Sequence, residues 1–297
     1  MPFIYSPRYY ADIGAHVFPI TKYRSVYRRL AETVSEFDFF EPEHAVEKEL
    51  LLVHTQEYLD DLHRCALTER TAYSELPISK EIIDLFFLAA GGTILSCREA
   101  LKSGWAVHIG GGFHHAFAAR AEGFCYINDL AVAVIASQHE SAIEKAAVID
   151  CDLHQGNGTA AIFQGDESVY TFSMHQRDLY PVKEKSDLDI HLPNGVDDDE
   201  YLAHLESAIP KIFDDFKPEL VLYQGGADPY EHDQLGNLKL TISGLKRRDD
   251  YIFRECKNRN IPIAATLGGG YAYNTEDTVE IHFNTCQSAM DIFHDVH

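Results

Sequence analysis

Two aspartates and a histidine occupy alternate positions where a buried strand is predicted to end. Residues 146–149 form an apolar run, followed by Asp150, Asp152 and His154 and then by a glycine-rich turn. Side chains alternate along a strand, so positions two residues apart point the same way. Open α/β sheets keep their sites at strand ends, and buried carboxylates are costly unless paired or metal-bound, so the spacing favours a metal site. Taken alone, the motif fits a capping or turn cluster equally well.

Three further apolar runs also end in glycines and then in side chains that can bind or react. Those side chains are His114 and His115, Asp228, and Tyr271. Glycine lets the backbone approach a ligand closely or adopt a positive φ. The histidine pair alone fits two residues of a surface loop, but four separate runs with this ending indicate one functional site.

The chemistry that these residue types favour is metal-assisted hydrolysis. Three candidate ligands would leave one coordination position open for water or substrate, as in a catalytic zinc site. These ligands are Asp152, His154 and Asp228. Such a metal polarises a carbonyl and lowers the pKa of a bound water.

The remaining polar side chains would complete this chemistry. One histidine of the pair would take a proton from the water, and the other would protonate the leaving amine. The Tyr271 hydroxyl would donate a hydrogen bond to the developing oxyanion. Asp150 and Asn157 would accept N–H hydrogen bonds from the two histidines and fix their tautomers.

Alternating strands and helices are expected to position these residues. The predicted helices are residues 23–36, 80–102, 128–138, 200–217, 243–259 and 275–293, and the predicted strands are 105–109, 146–151, 168–173, 219–224 and 261–266. Strands that alternate with helices indicate a parallel sheet covered on both faces. We therefore expect an α/β fold with an open, mainly parallel sheet, forming a single catalytic domain over residues 1–297.

Composition agrees with one unit outside the membrane. The 297 residues contain no linker-like or low-complexity run, and α/β folds of this length often form one domain. No apolar stretch reaches the length of a membrane span, and the first residues lack a signal-peptide pattern. The six cysteines show no C-x-x-C spacing, which favours reduced thiols and a cytoplasmic location.

The net charge of −22 bears on possible partners. It argues against direct binding to nucleic acid, which needs a positive face. It suits a cationic substrate such as a lysine-rich peptide or a polyamine, drawn in by the long-range field. Solubility alone explains the charge equally well.

Six motifs match a known family in order along the chain. They are GGGFHH (110–115), EGFCYIND (122–129), DCDLHQGNG (150–158), FSMH (172–175), GGADPYEHDQLG (225–236) and LGGGY (267–271). The chain resembles the zinc-dependent histone deacetylases of the arginase–deacetylase superfamily. HQGNG, RDLYP at 177–181 and DDEYL at 198–202 resemble most the class IV branch, the histone deacetylase 11 type.

The resemblance implies roles for the candidate residues. Zinc would be bound by Asp152, His154 and Asp228. His114 and His115 would be the catalytic pair, with His115 the general base, paired with Asn157, and His114 paired with Asp150. Tyr271 would polarise the scissile carbonyl. Class I relatives carry an aspartate at the Asn157 position, so the pKa of His115 is expected to be tuned differently here.

The resemblance also implies a substrate channel and a structural ion. Gly123 and Phe124 would line the acyl-lysine channel, and Cys125 the cavity beyond the metal. A potassium ion would be bound by Asp150, Asp152, Ser173 and the carbonyls of His154 and Met174. The chain departs from the family at residues 16–19, where it reads His-Val-Phe-Pro instead of a His-Pro pair. This departure affects the loop wall and any role for Lys22 or Arg24.

The function predicted from these residues is hydrolysis of the amide in an acylated lysine of a protein or peptide, with tolerance for chains longer than acetyl. An acetylpolyamine or other small-amide hydrolase would use the same site with a different rim. An arginase-like enzyme would carry more aspartates for two manganese ions, and a non-catalytic reader of acyl-lysine would have lost a ligand or the tyrosine. Fe²⁺ or Co²⁺ remain alternatives to zinc, because ligand type does not fix metal identity.

Overall fold

One open sheet of eight parallel strands forms the centre of this computed structural model, which describes residues 1–294. In chain order the strands are β1 (Phe3–Ile4), β2 (Phe39–Phe40), β3 (Trp105–His108), β4 (Ala146–Asp150), β5 (Val169–Gln176), β6 (Leu188–Leu192), β7 (Leu220–Gln224) and β8 (Ile263–Thr266). Across the sheet their order is β2-β1-β3-β8-β7-β4-β5-β6. Residues 295–297, the last three of the expected domain, lie outside the described residues.

Helices connect the strands and cover the sheet. They are α1 (Lys22–Leu30), α2 (Glu47–Leu50), α3 (Gln56–His63), α4 (Lys80–Ser103), α5 (Asp129–His139), α6 (Asn157–Ile162), α7 (Asp198–Phe216), α8 (Ile242–Arg259) and α9 (Thr275–His294). Within residues 1–294, no helix combines the length and the apolar character needed to cross a membrane.

The helices form two groups on the sheet. In one group α4 packs against α3 and α5, and in the other α8 packs against α7 and α9 while α1 packs against α9. β3 contacts α4 from the first group and α9 from the second. The central strands β3, β4, β7 and β8 are buried along their whole length. Burial on both faces explains their continuous apolar runs and confirms the expected α/β fold with helices on both faces.

The strand order brings four distant loops together. β3, β8, β7 and β4 are consecutive in the sheet, and His108, Thr266, Gln224 and Asp150 are aligned in register at their carboxyl ends. The loops that follow these four strands therefore emerge side by side. Each carries one of the four glycine endings identified in the sequence, at the edge of the sheet where ligands bind in such folds.

The cap of α5 fixes the loop that carries the histidine pair. Asn128 Oδ1 accepts a hydrogen bond of 3.0 Å from Ala131 N at the start of the helix. The Asn128 amide nitrogen donates to Ala116 O at 3.0 Å and to His114 O at 3.3 Å. Asp129, the first helical residue, accepts from Gly112 N and Phe113 N at 3.0 and 2.7 Å. These hydrogen bonds hold the loop against the start of the helix.

The predicted helix at residues 23–36 is wrong at its end, because α1 stops at Leu30. Beyond Leu30 the chain continues in turns, in which Leu30 O accepts hydrogen bonds from Thr33 N at 2.8 Å, from Val34 N at 3.0 Å and from Thr33 Oγ1 at 2.9 Å. Residues 36–38 instead form a short 3₁₀ helix.

Candidate active site

Three potential metal ligands converge at the ends of β4 and β7. Asp152, His154 and Asp228 are buried, and one ligand atom from each lies within 4.8 Å of the others. His154 Nδ1 lies 3.0 Å from Asp228 Oδ2 and 3.4 Å from Asp152 Oδ1. In the described residues, Asp152 Oδ2 is buried without a hydrogen-bond partner. Two carboxylates, an imidazole and an oxygen without a partner fit a divalent cation.

The electrostatics of the triad also fit a cation. Burial alone would lower the pKa of His154, but hydrogen bonds that its ring N–H donates to the Asp152 and Asp228 carboxylates, together with their negative charge, raise it to about 10. A proton on Nδ1 is therefore strongly favoured between the two carboxylates. A metal ion in the same place would displace that proton, since metal binding requires the neutral imidazole.

Glycine allows the neighbouring loops to approach the triad. A Cβ at Gly226 would lie 2.5 Å from Asp152 Oδ2, and one at Gly269 would lie 2.6 Å from the same oxygen and from Asp228 Oδ1. Gly269 also has a φ of 55°. Any side chain at these positions would displace the carboxylates, so the glycines of two motifs are required for close packing around the ligands.

His114 is paired with a carboxylate. Its Nδ1 lies 2.7 Å from Asp150 Oδ2, and its Nε2 lies 3.8 Å from Asp152 Oδ1. Burial lowers the pKa of His114, but Asp150 and Asp152 outweigh that effect and raise it to about 9. The Asp150 carboxylate thus favours the protonated form of this ring.

His115 is paired with an amide whose orientation a further residue fixes. Its Nδ1 lies 2.8 Å from Asn157 Oδ1, while Asn157 Nδ2 donates to Glu122 Oε1 at 2.8 Å. The amide oxygen therefore faces the histidine, Nδ1 carries the proton, and Nε2 has a free lone pair. Burial lowers the pKa of His115 well below its ordinary value, and His114 and His154 lower it further. Glu122 was not among the predicted site residues, although it opens the EGFCYIND motif.

Tyr271 lies above the ligands at the end of the β8 loop. Its backbone N–H donates to Asp233 Oδ2 at 2.6 Å, and its carbonyl accepts from Gln234 Nε2 at 2.8 Å. Burial raises the pKa of the Tyr271 hydroxyl, and Asp228 and Asp152 raise it further, so the group remains an O–H donor. Asp233, which fixes this loop, was also missed; its motif was recognised, but nothing marked its carboxylate as the one that binds backbone.

An apolar channel leads from the surface to these residues. Its cavity measures about 290 Å³ and is lined by Glu75, His115, Gly123, Phe124, His154, Leu179, Tyr180, Leu235 and Tyr271. The rings of Phe124 and Tyr271 are 5.9 Å apart between centroids. His16 packs edge-on against Phe124 at 4.6 Å, so the altered residues 16–19 still contribute a wall. Gly123 and Phe124 therefore lie where a channel was expected.

A second, smaller cavity lies behind the triad. It measures about 20 Å³ and is lined by Cys125 together with His114, Asp152 and Gly269, among others. This space is large enough for one water molecule. Lys22 is buried nearby, its ammonium contacting Gly269 O, and burial lowers its pKa to about 8.

The residues expected to bind potassium lie on neighbouring strands. Ser173 of β5 is opposite Asp150 of β4 in the sheet. Ser173 Oγ lies 2.9 Å from His175 Nδ1, and Asp150 Oδ1 accepts from Asp152 N at 3.0 Å. A potassium site formed by these side chains and by the carbonyls of His154 and Met174 stays a prediction.

Comparison with known proteins identifies the family of this fold and site. The model of the histone deacetylase domain matches residues 16–286. The chain belongs to the histone deacetylase family. Among its relatives are histone deacetylase 2 of Arabidopsis thaliana, 34% identical over 86% of this chain and 70% of that protein, and the acetoin utilization protein AcuC of Bacillus subtilis, 31% identical over 81% and 69%. An uncharacterised protein of Picosynechococcus is 37% identical over 98% of this chain and 99% of its own length.

Solved structures share the fold of this deacetylase family member. The HD domain of HDA15 superposes with a TM-score of 0.80 at 22% identity, covering 99% of this chain and 91% of that one. An HDAC homolog complexed with SAHA gives a TM-score of 0.83 at 24% identity, covering 99% and 88%. Family membership identifies the chain as an amide hydrolase of the deacetylase type. Such enzymes generally depend on a metal, and the triad provides candidate ligands.

Proposed function

We propose that this chain is a zinc-dependent lysine deacylase of the class IV type, with residues 1–297 forming one catalytic domain. The observation that carries the proposal is the meeting of three potential ligands, two differently paired histidines and one tyrosine at the bottom of an apolar channel. The HQGNG and RDLYP motifs support the class IV assignment. A divalent ion bound by Asp152, His154 and Asp228 would act as a Lewis acid towards the scissile carbonyl and the water.

The chain's own residues would then perform the proton transfers. His115 Nε2, with its free lone pair, accepts a proton from the attacking water. The Tyr271 hydroxyl donates a hydrogen bond to the carbonyl oxygen as negative charge develops there. His114, held as an imidazolium by Asp150, stabilises that charge and donates a proton to the leaving amine. The products are a carboxylate and a free amine.

The channel lining favours a lysine side chain over a polyamine. Phe124, Leu179, Tyr180 and Leu235 provide apolar contact for the methylenes of lysine, and Glu75 is the one carboxylate among the lining residues. A polyamine would bring further ammonium groups into this largely apolar space, where Glu75 is the only lining carboxylate that could pair with one and any other charge would be costly. An acetylpolyamine or other small-amide hydrolase remains the second candidate because it would use the same catalytic residues.

The inner cavity limits the acyl group in this conformation. A volume of about 20 Å³ behind the triad suits a small group. Each methylene buried in an apolar channel is favourable by roughly 0.8 kcal/mol, so longer chains would gain if the lining moved. Tolerance for long acyl chains therefore requires displacement of side chains such as Phe18 and Tyr23.

We also propose a substrate partner, a structural ion and a cellular location. The partner is an acyl-lysine protein or peptide, with no direct contact to nucleic acid or membrane. A potassium ion near Asp150 and Ser173 would be structural. All six cysteines are unpaired, which supports a reducing, cytoplasmic location.

A deacylation panel tests this function. Lysine peptides and polyamines carrying acyl groups from acetyl to long fatty chains are assayed before and after chelation, and after return of Zn²⁺, Fe²⁺ or Co²⁺. We expect activity on acyl-lysine peptides that is lost on chelation and in Asp228→Ala but is kept in the surface variant Asp214→Ala. Full activity in Asp228→Ala or in chelated protein would overturn the metal mechanism. Higher efficiency on acetylpolyamines than on every peptide would favour the second candidate.

A further inference from the structure

Arg248 of α8 is a fully buried cation that joins the two loops carrying the metal ligands. Its side chain has no solvent exposure, although it lies in the charged run of residues 246–250. Arg248 Nη1 donates to Gly226 O at 2.6 Å and to Cys151 O at 3.2 Å. One nitrogen thus binds carbonyls from the loops after β7 and β4.

The two carbonyls lie next to the candidate ligands. Cys151 directly precedes Asp152, and Gly226 comes two residues before Asp228. The backbone hydrogen bond from Cys151 N to Gln224 O, at 3.1 Å, extends the β4–β7 pairing to the point where the loops begin. Beyond it, Arg248 holds the loops together. Because a Cβ at Gly226 would lie 2.5 Å from Asp152 Oδ2, any separation of the loops would change the surroundings of that ligand.

The guanidinium itself is fixed by a buried carboxylate. Asp249 Oδ1 lies 2.9 Å from Arg248 Nε and 2.8 Å from Nη2. Asp249 also accepts from Tyr223 OH at 2.5 Å and from Thr285 Oγ1 at 2.6 Å, so the ion pair is anchored to β7 and α9. The planar fork of arginine lets Nε donate to Asp249 Oδ1 while Nη1 donates to both carbonyls, which the single ammonium of lysine cannot reproduce. Nη2 contributes charge beside the same carboxylate oxygen but has no hydrogen-bond partner among the described residues.

A buried ion pair of this kind needs a reason beyond stability. Replacing such pairs with apolar side chains is often neutral or stabilising, because desolvation offsets much of the attraction. Here the guanidinium donates two of its hydrogen bonds to carbonyls beside the candidate ligands. We propose that Arg248 is a positioning residue that sets the separation of Asp152 and Asp228 and so preorganises the metal site. The inference rests on the metal triad of the proposed function.

Zinc affinity of the folded protein tests this role. Arg248→Lys keeps a positive charge beside Asp249 but removes the fork. Its Kd for Zn²⁺, measured by competition with a chromophoric chelator, should rise about 10–100-fold, as is typical when groups that orient metal ligands are lost. Thr285→Val is the matched control, because it removes a hydrogen bond to Asp249 without touching either carbonyl. We expect Thr285→Val to unfold at lower denaturant while its Kd for Zn²⁺ stays near that of the wild type.

A second variant covers the case in which Arg248→Lys does not fold. Tyr201 OH donates to Cys151 O at 3.3 Å, so Tyr201→Phe removes a milder restraint on one of the same carbonyls. A weaker Zn²⁺ affinity in Tyr201→Phe would then support the inference, and an unchanged affinity would overturn it. An unchanged affinity in folded Arg248→Lys, or an equal loss in Thr285→Val, would also overturn it. If metal-free wild-type protein hydrolyses acyl-lysine, the metal mechanism of the proposed function fails, whereas an unchanged Zn²⁺ affinity in the variants counts against the positioning role alone.

Discussion

His114 and His115 are adjacent and chemically identical, yet their partners give them opposite charge states. A carboxylate beside His114 favours the imidazolium, whereas a neutral amide beside His115 leaves burial to favour the neutral ring. Groups whose environments push their pKa values apart are suited to acid and base roles. At the residue scale, the assignment of roles therefore depends on Asp150 and Asn157 as much as on the histidines.

Replacing the Asn157 amide with a carboxylate should change the pH dependence of catalysis. In Asn157→Asp, a negative charge beside His115 raises its pKa, so the base is protonated up to a higher pH. The acidic limb of the kcat/KM profile should then move to higher pH by about one unit. Because Glu122 faces the same position, the double variant Glu122→Gln/Asn157→Asp removes carboxylate repulsion and serves as control. An unmoved limb in both variants would mean that His115 is not the base.

Loss of the Tyr271 hydroxyl should affect the transition state alone. Removal of one oxyanion donor typically lowers kcat about 10²–10³-fold. We expect a fall of this size in Tyr271→Phe with bound metal retained, because the ligands do not include this hydroxyl. Metal content by elemental analysis and kcat on an acetyl-lysine peptide are the measurements. An unchanged kcat would assign Tyr271 a structural role.

At the scale of elements, glycine loops rather than helices or strands control access to the ligands. Gly269 and Gly165 both have positive φ values, 55° and 83°. A Cβ at Gly165 would meet nothing within 4 Å, whereas one at Gly269 would lie 2.6 Å from two carboxylate oxygens. At both positions the positive φ would strain an alanine, but only at Gly269 would the added Cβ also contact other atoms.

The pair of alanine variants separates these effects. Strain at a positive φ costs roughly 1–2 kcal/mol for an ordinary residue, so Gly165→Ala and Gly269→Ala should both lose stability. Gly269→Ala should in addition lose metal affinity and most of its activity, whereas Gly165→Ala keeps both. Denaturant unfolding and Zn²⁺ titration provide the comparison, and normal metal binding in Gly269→Ala would contradict the close-packing argument.

The sequence predicted buried strands and long helices better than partly exposed strands and short helices. The apolar runs of β4 and β7 and the capped helix α4 stand out, since burial on both faces leaves a continuous pattern. Residues 188–192 were missed because the edge strand β6, although as long as β4 and β7, is only partly buried and so lacks a continuous apolar run. The eight residues of α3, Gln56–His63, were also missed, since a helix this short depends on packing more than on propensity.

The candidate site shows the same division. The candidate ligands and the candidate catalytic residues follow strand ends in recognisable motifs, so their convergence could be predicted from spacing. Arg248 could not, because its charged run is typical of a solvated helix face and only tertiary packing buries it. Glu122 acts through Asn157, a relation between distant residues that no local pattern contains.

At the scale of the whole molecule, the fold depends on buried neutral histidines. His54 Nδ1 lies 3.3 Å from Ala118 O, and its Nε2 accepts from Asn128 N at 3.2 Å, so the ring has no place for a second proton. Burial lowers its pKa to about 4. The unfolded chain binds a proton near pH 6.5, so stability is present above that pH and is lost as pH falls towards 4.

This linkage predicts acid sensitivity. Between pH 7 and pH 5, His54 should reduce the free energy of unfolding by about 2 kcal/mol. In His54→Gln that part of the pH dependence should disappear, although the variant is less stable at pH 7. Urea unfolding at both pH values measures the difference, with exposed His139→Gln as control. An equal pH dependence in wild type and His54→Gln would contradict the assignment.

The central strand order β3-β8-β7-β4 affects how the chain can fold while the ribosome synthesises it. When β4 has been synthesised, the two positions between it and β3 still await β7 and β8, which begin only at Leu220 and Ile263. Once residue 154 has been added, the nascent chain contains His114, Asp152 and His154, but it still lacks Asp228 and Tyr271. The full set of candidate site residues is therefore present only after residue 271 has left the exit tunnel, so we expect a translation product that stops earlier to be inert.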